Sequence, residues 1–327
     1  MTSAPQAPTP DTRSAAVEAV DVSREFPGTQ ALRHVSLTVG HGELFGLVGP
    51  DGSGKTTFLR ILTGLLGVLR GRVGIDGIDV ATEPARVKER IGYMSQRFSL
   101  SETLTVAENL LYVSEIWHVP AGERRKRVTR LLEFSRLGPF QDRLTRNLSG
   151  GMKQKLSLCA ALIHQPEILL LDEPTIGVDP ISRREFWLIL YDLLHEGSTI
   201  ILSTPYMDEA ERCARVGFLL EGQLIACGSP TALRTDLGTV VLDLRCADSR
   251  AARRVIHQLP ELDDAVTFGE HLHVTVPRRG FDAAAAVACV HAAGVTVHDW
   301  RIREPSLEDV FLAYIRRHAT RAPTVAV

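Results

Sequence analysis

The sequence has few cysteines, and their spacing pairs none of them. Cys159, Cys213, Cys227, Cys246 and Cys289 are odd in number, scattered, and contain no C-x-x-C. That argues against a disulfide framework and against a zinc site, and points to buried or incidental thiols in a reducing cytoplasm. No apolar run reaches the roughly 18 residues of a membrane span. The Ala-rich segment from Asp282 to Gly294 is shorter and contains His291, so it reads as an amphipathic packing helix. Neither sign of charge is in excess: 37 Lys and Arg stand against 39 Asp and Glu. Bulk attraction to nucleic acid or anionic lipid is therefore not indicated, and no nucleic-acid partner is expected. Residues 1–16 lack the apolar core of a signal peptide and are rich in Pro, Ser, Thr and Ala, which suits a disordered tail. No internal repeat is found.

What is present suggests two folded parts, for which 327 residues suffice. From Val17 to Leu237, short apolar runs alternate with helical stretches, the pattern of an α/β domain with a largely parallel sheet. Leu44–Val48, Ile168–Leu171 and Thr199–Leu202 are unbroken apolar runs, expected to be strands buried on both faces. Strand signals vanish between Leu100 and Gln165, which predicts a helical subdomain over about 98–165. Its basic run Gly122-Glu123-Arg124-Arg125-Lys126-Arg127 reads as a solvated helix face rather than an anion site. From 238 to 318 the order is strand (Val240–Leu244), helix (Ser249–Leu259), two strands (Asp264–Phe268 and Leu272–Val276), helix (Asp282–Ala293) and strand (Val295–Ile302). This β-α-β-β-α-β order predicts a small α+β domain of ferredoxin-like type. A last helix, Ser306–Arg317, opens with Ser306 and Asp309 at capping spacing, and residues 319–327 form a tail. No catalytic constellation is visible after 238, so this part reads as a structural or docking module.

The chemistry concentrates in three motifs. Gly49-Pro50-Asp51-Gly52-Ser53-Gly54-Lys55-Thr56-Thr57 fits G-x-x-x-x-G-K-[ST] and lies between an expected strand and an expected helix. Its glycines let backbone N–H groups turn toward one anion, Lys55 reaches β- and γ-phosphates, and Thr56 offers a hydroxyl to Mg2+. The following helix N-terminus adds a favourable dipole. Next, the apolar strand Ile168–Leu171 ends in Asp172-Glu173. Asp172 is placed to hold Mg2+ and Glu173 to act as general base on water, the alternative being two solvated acids. Third, Ser149-Gly150-Gly151 opens a helix, either as an anion-facing N-terminus or as a plain cap.

Together these motifs, in this order over Val17 to about Gly228, resemble the ATP-binding cassette (ABC) family. The resemblance implies a P-loop NTPase fold with ATP and Mg2+ bound. It places Phe26 where an aromatic stacks on adenine, although a core aromatic also fits. Gln96 falls where a glutamine reaches Mg2+ and couples to a membrane subunit, although a surface glutamine also fits. Asp179 falls in a loop that signals across a nucleotide-bound dimer. Two such domains pair head to tail in this family, so Ser149, Gly150 and Gly151 would serve the partner's nucleotide. The tail Glu304–Leu312 resembles the ends of ATPase subunits of multidrug and antibiotic exporters. Those work on the cytoplasmic face of the membrane with a polytopic permease on a separate chain.

Asp51 replaces a frequent Asn and Met152 a usual Gln, both with little consequence. Pro205 is different, because it occupies the place of a histidine that contacts the γ-phosphate and orients water. Proline offers neither a side-chain donor nor an N–H. A transport ATPase is therefore the leading expectation. A regulatory subunit that clamps ATP at a slow site is the rival. Soluble relatives acting on DNA or ribosomes fit less well, since they carry a long coiled-coil insertion or two cassettes in one chain, and a small-molecule kinase would leave the Ser-Gly-Gly turn unexplained.

Overall fold

Valine, isoleucine and leucine runs bounded by glycine or acid become buried strands, and the longer segments with one apolar face become helices. A computed structural model describes residues 15–258 and 265–321. In chain order the elements are β1 (Val17–Phe26), β2 (Thr29–Val39), β3 (Leu44–Val48), α1 (Lys55–Leu62), β4 (Arg70–Ile75), β5 (Ile78–Asp79), α2 (Pro84–Arg90) and β6 (Ile91–Met94). There follow α3 (Val106–Ile116), α4 (Ala121–Phe134), α5 (Gly150–Leu162), β7 (Ile168–Asp172), α6 (Pro180–His195), β8 (Thr199–Thr204), α7 (Met207–Ala210), β9 (Arg215–Leu220), β10 (Gln223–Gly228) and α8 (Pro230–Leu237). The chain ends with β11 (Thr239–Cys246), α9 (Ser249–Ile256), β12 (Ala265–Phe268), β13 (His271–Pro277), α10 (Ala283–Ala292), β14 (Val297–Arg303) and α11 (Leu307–Arg321).

The contacts divide the chain into two units. One holds residues up to 209 together with Cys213–Leu224, and the other holds Ala210–Arg212 with residues from 225 onward. The boundary thus falls ahead of the expected 237/238, because α8 packs with α11. In the first unit, β6, β7, β8, β3 and β9 pair side by side in parallel. Every residue of β3, β7 and β8 is buried, as a sheet covered on both faces requires. A second sheet has the order β2-β1-β4-β5, with every neighbouring pair antiparallel. Ala16 is fully buried in the core beside it and its carbonyl accepts from the Asp76 amide at 3.0 Å. The expected tail therefore ends before Ala16; its residues 1–14 lie outside the described ones.

Between 98 and 165 the named α-helices are α3, α4 and α5, with their own apolar core around Leu110, Leu132 and Leu156. The basic run lies on α4, where Arg125 and Lys126 are exposed. In the second unit the strand order is β12-β13-β11-β14, all antiparallel, the split β-α-β arrangement expected from the sequence pattern. Ala283, Ala286, Val287 and Val290 form the buried stripe of α10, so the Ala-rich segment is a packing helix. Leu259 and Asp264, expected ends of a helix and a strand, lie outside the described residues. Helix α11 runs four residues past the expected Arg317, and its start carries the reciprocal Ser306–Asp309 bonds of a capping box. Residues 322–327 of the expected tail also lie outside the described ones.

One polar cluster interrupts this unit. Asp243 bonds His271 at 2.7 Å and Arg301 at 3.2 Å, while Arg303 donates to His273 Nδ1 at 3.1 Å. That last bond puts the His273 proton on Nε2, facing Asp243. The group is an ion-pair network centred on Asp243, in which the His273 Nδ1 lone pair faces Arg303.

Candidate functional site

At the carboxyl end of β3 the chain must turn sharply and pass close to other backbone. A Cβ on Gly49 would lie 2.1 Å from the Leu219 carbonyl oxygen, so only glycine fits. Gly54 has φ +107°, and a Cβ there would meet the Ala31 carbonyl at 2.5 Å. Lys55 then starts α1, which has no side-chain N-cap. The buried Ser53 hydroxyl at the same turn has no hydrogen-bond partner among the described residues. A backbone cradle, an uncapped helix start and an unpartnered hydroxyl together form a place that fits phosphate oxygens.

Lys55 is 3% exposed. Its Nζ donates to the carbonyls of Gly49 and Pro50 at 2.8 and 2.9 Å and pairs with Glu173 Oε1 at 3.1 Å. The other Glu173 oxygen accepts from Gln96 Nε2 at 2.7 Å. Glu173 itself has φ +50°, a conformation rare outside glycine. Its amide is fixed by Ser203, donating to Oγ at 3.0 Å and to the carbonyl at 3.2 Å. The Ser203 hydroxyl in turn donates to Asp172 Oδ1 at 2.7 Å, and Thr56 Oγ1 donates to that same oxygen at 3.0 Å. Tyr93 reaches Asp172 Oδ2 at 3.4 Å. Burial pushes the Tyr93 phenol above its ordinary range, and the Asp172 charge adds to this. Parallel pairing explains the convergence, since Asp172 on β7 lies level with Ser203 on β8.

Lys55, Thr56, Gln96, Asp172 and Glu173 thus meet in one cluster drawn from three segments, with Lys55, Asp172 and Glu173 buried, Thr56 partly buried and Gln96 at its exposed rim. Gly49 through Thr57 line its loop side, with Pro50, Asp51 and Gly52 at the exposed tip. Pro205 follows β8 directly beside this loop, where the Gly49 amide donates to the Thr204 carbonyl at 3.4 Å.

The other expected residues lie elsewhere in the chain's bonding. Ser149 caps α5 by accepting from the Met152 amide at 3.3 Å. Asp179 caps α6, accepting from the amides of Ile181 and Ser182 at 3.1 and 3.0 Å. Those bonds hold the Asp179 carboxyl below the usual range. Gly151 lets α5 and α6 close, since a Cβ there would lie 2.3 Å from Ser182 Cβ. A Cβ on Gly150 would meet the Gly177 carbonyl at an ordinary 3.7 Å. Among the described residues, no hydrogen bond of Ser149 or Asp179 reaches the cluster around Lys55. Phe26 stands half exposed at the end of β1, with the Arg24 guanidinium 5.0 Å from its ring centre.

Sequence reasoning gave Ser203 and Tyr93 no role. A signal for Ser203 existed: a polar Ser-Thr pair ends an otherwise apolar strand at the sheet edge that carries Asp172. Only the inter-strand register shows that its hydroxyl bridges both acids.

Comparison with known proteins agrees with this geometry. The ABC transporter family matches residues 32–176. The probable multidrug ABC transporter ATP-binding protein YbhF of Escherichia coli (strain K12) is 38% identical over 89% of the chain, which spans half the length of that relative. The daunorubicin resistance ATP-binding protein DrrA2 of Streptomyces coeruleorubidus is 35% identical over 91% of this chain and 94% of its own. Among solved structures, a dimeric ATP-binding cassette in a post-hydrolysis state, bound to ADP and Pi, superposes with TM-score 0.60 at 28% identity. It covers 65% of this chain and 98% of that one. From the family match, the extent of these relatives and the shared cassette fold, the chain belongs to the ABC transporter family, among its ATP-binding proteins.

Proposed function

We propose that this chain is the ATP-binding and ATP-hydrolysing subunit of a multidrug- or antibiotic-type exporter. It would act on the cytoplasmic face of the membrane, paired with a second ABC ATPase domain and powering a polytopic permease on a separate chain. Among the described residues no helix is long and apolar enough to cross a membrane. The observation that carries the reading is Glu173, held at the end of β7 between Lys55 and Gln96 within the same cluster as Asp172 and Thr56.

The loop from Gly49 to Thr57 would wrap the phosphates of ATP with backbone N–H groups, and Lys55 would carry the β- and γ-phosphate charge. Thr56, Asp172 and Gln96 would hold Mg2+, which when bound neutralises charge developing on the phosphates. Lys55 cannot serve phosphate and Glu173 Oε1 equally. As Lys55 turns to the phosphates, that carboxylate oxygen becomes available to take a proton from water. Gln96 keeps the other oxygen oriented, so nucleotide binding itself arms the base. Phe26 would stack on adenine, where Arg24 already occupies one face of its ring. Ser149, Gly150, Gly151 and Asp179 would act across the dimer on the partner's nucleotide.

Pro205 favours a second reading, in which the chain clamps ATP as a regulatory subunit and its own site turns over slowly. The lack of one preorganised contact commonly lowers a rate by about 10²–10³-fold. ATP turnover by the purified chain, by Glu173→Gln and by Pro205→His separates the two. Slow wild-type turnover that rises in Pro205→His supports the slow-site reading. Fast wild-type turnover that collapses only in Glu173→Gln supports the catalytic one. Absence of ATP binding to the wild type overturns both.

A further inference from the structure

Four residues downstream of Pro205, Glu209 is 1% exposed. Its Oε1 accepts from the Thr175 hydroxyl, from Arg183 Nε at 2.7 Å and from the Trp187 indole at 3.3 Å. Its Oε2 accepts from the Thr204 hydroxyl at 2.7 Å. One carboxylate therefore gathers four donors from three segments: the turn just after Glu173, the first half of α6, and the end of β8. A buried charge is tolerable only when so compensated, and removing it leaves several buried donors unmatched.

The three segments are those that surround the reacting end of the site. Thr175 lies two residues past Glu173, whose positive φ has to be imposed by its surroundings. The Thr204 hydroxyl also accepts from the Tyr206 amide at 3.0 Å, closing a bridge over Pro205. Arg183 belongs to the helix that Asp179 caps. It holds Asp208 with two bonds of 2.8 and 2.9 Å and lies 4.8 Å from the Tyr206 ring centre. With Pro205 contributing neither a side-chain donor nor an N–H, the shape of that loop rests on Thr204, Tyr206 and the carboxylate beneath them.

From this geometry we infer that Glu209 is a positioning residue for hydrolysis. It ties the turn carrying Glu173 to the Pro205 loop and to the start of α6, so a shift of α6 reaches Glu173 through one carboxylate. It touches no reacting atom and exchanges no proton. The inference rests on the ATPase reading above, and nucleotide binding at the Gly49–Thr57 loop does not depend on it.

The test uses the full chain with Trp117→Phe and Trp300→Phe, which leaves Trp187 as its one tryptophan. Mg-ATP is titrated while Trp187 emission and, separately, equilibrium dialysis are followed, and turnover is measured alongside. In the parent, Trp187 emission shifts with the same half-saturation as dialysis. In Glu209→Gln, which keeps the shape and loses the charge, ATP affinity and KM stay within about twofold. The emission shift falls at least about threefold and kcat falls about 10- to 100-fold, the range seen when a group orienting a site residue is lost. ATP binding with a silent Trp187 in the parent overturns this inference and leaves the ATPase reading standing. So does a Glu209→Gln variant with unchanged kcat, or with affinity and kcat lost together along with the folded fraction. Failure of the parent to bind ATP at all overturns the ATPase reading and this inference with it.

Discussion

Single atoms decide how the two acids at the end of β7 are held. Ser203 bridges them, giving its proton to Asp172 and accepting from the Glu173 amide. Ser203→Ala leaves Asp172 Oδ1 with Thr56 alone and leaves the Glu173 amide with only a carbonyl at 3.2 Å. A buried group stripped of a partner costs about 1–3 kcal/mol, so the melting temperature should fall. Mg2+ half-saturation of ATP turnover should also rise, because Asp172 loses its orientation. Measured half-saturation equal to the wild type would show that Ser203 has no hold on the metal-facing acid. The loop offers a matched contrast. Gly49→Ala drives a methyl into the Leu219 carbonyl, whereas a Cβ at Gly52 meets none of the described residues within 4 Å and is opposed by φ +76°. Dialysis against labelled ATP should find binding lost in Gly49→Ala and retained, at a stability cost of roughly 1–2 kcal/mol, in Gly52→Ala. The loop motif was legible because it is local, with every needed residue type within nine positions. Ser203 was not, because its role exists only in the register between β7 and β8.

Helix termini divide the expected site into what one chain completes and what it does not. Ser149, Gly151 and Asp179 look in sequence like ligand residues, and each has an evident duty in the chain itself: capping α5, permitting the α5–α6 contact, and capping α6. Sequence spacing cannot separate a cap from an anion site, because both use the same unpaired N–H groups. Substitution can. Ser149→Ala should lower stability by about 1 kcal/mol, and Ser149→Asn, an equally good cap, should restore it. If Ser149 also faces a partner's nucleotide, Asn restores the melting temperature without restoring cooperativity in ATP. Equal recovery of both would reduce the residue to a cap. The element boundaries were legible to within a few residues wherever apolar runs met glycine, proline or a capping pair. They were missed where packing decides, as at Ala16, whose small side chain gives no hint of full burial.

At the level of the first unit, the helical segment meets the sheet through an aromatic stack. Trp117, the C-cap of α3, lies on His164 with ring centres 3.8 Å apart and 10° between planes. His164 Nε2 donates to the Ile91 carbonyl at 2.9 Å, while its buried Nδ1 has no partner among the described residues. Burial therefore depresses the His164 pKa below its ordinary 6.5, with Arg127 pushing the same way against the backbone bond that opposes it. The folded value lies below the unfolded one, so the neutral ring contributes stability that is fully present above about pH 6.5. That stability is lost as pH falls through the depressed folded value, because the unfolded chain takes up the proton first. Nothing in the sequence marks this, since one histidine two residues before a proline looks like any helix end. Chemical denaturation of the wild type should show the midpoint falling between pH 7 and 5. His164→Gln, which can still donate to Ile91 and cannot titrate, should lose part of that slope. An identical slope in both proteins would assign the acid sensitivity to other groups and leave the Trp117–His164 stack a packing contact only.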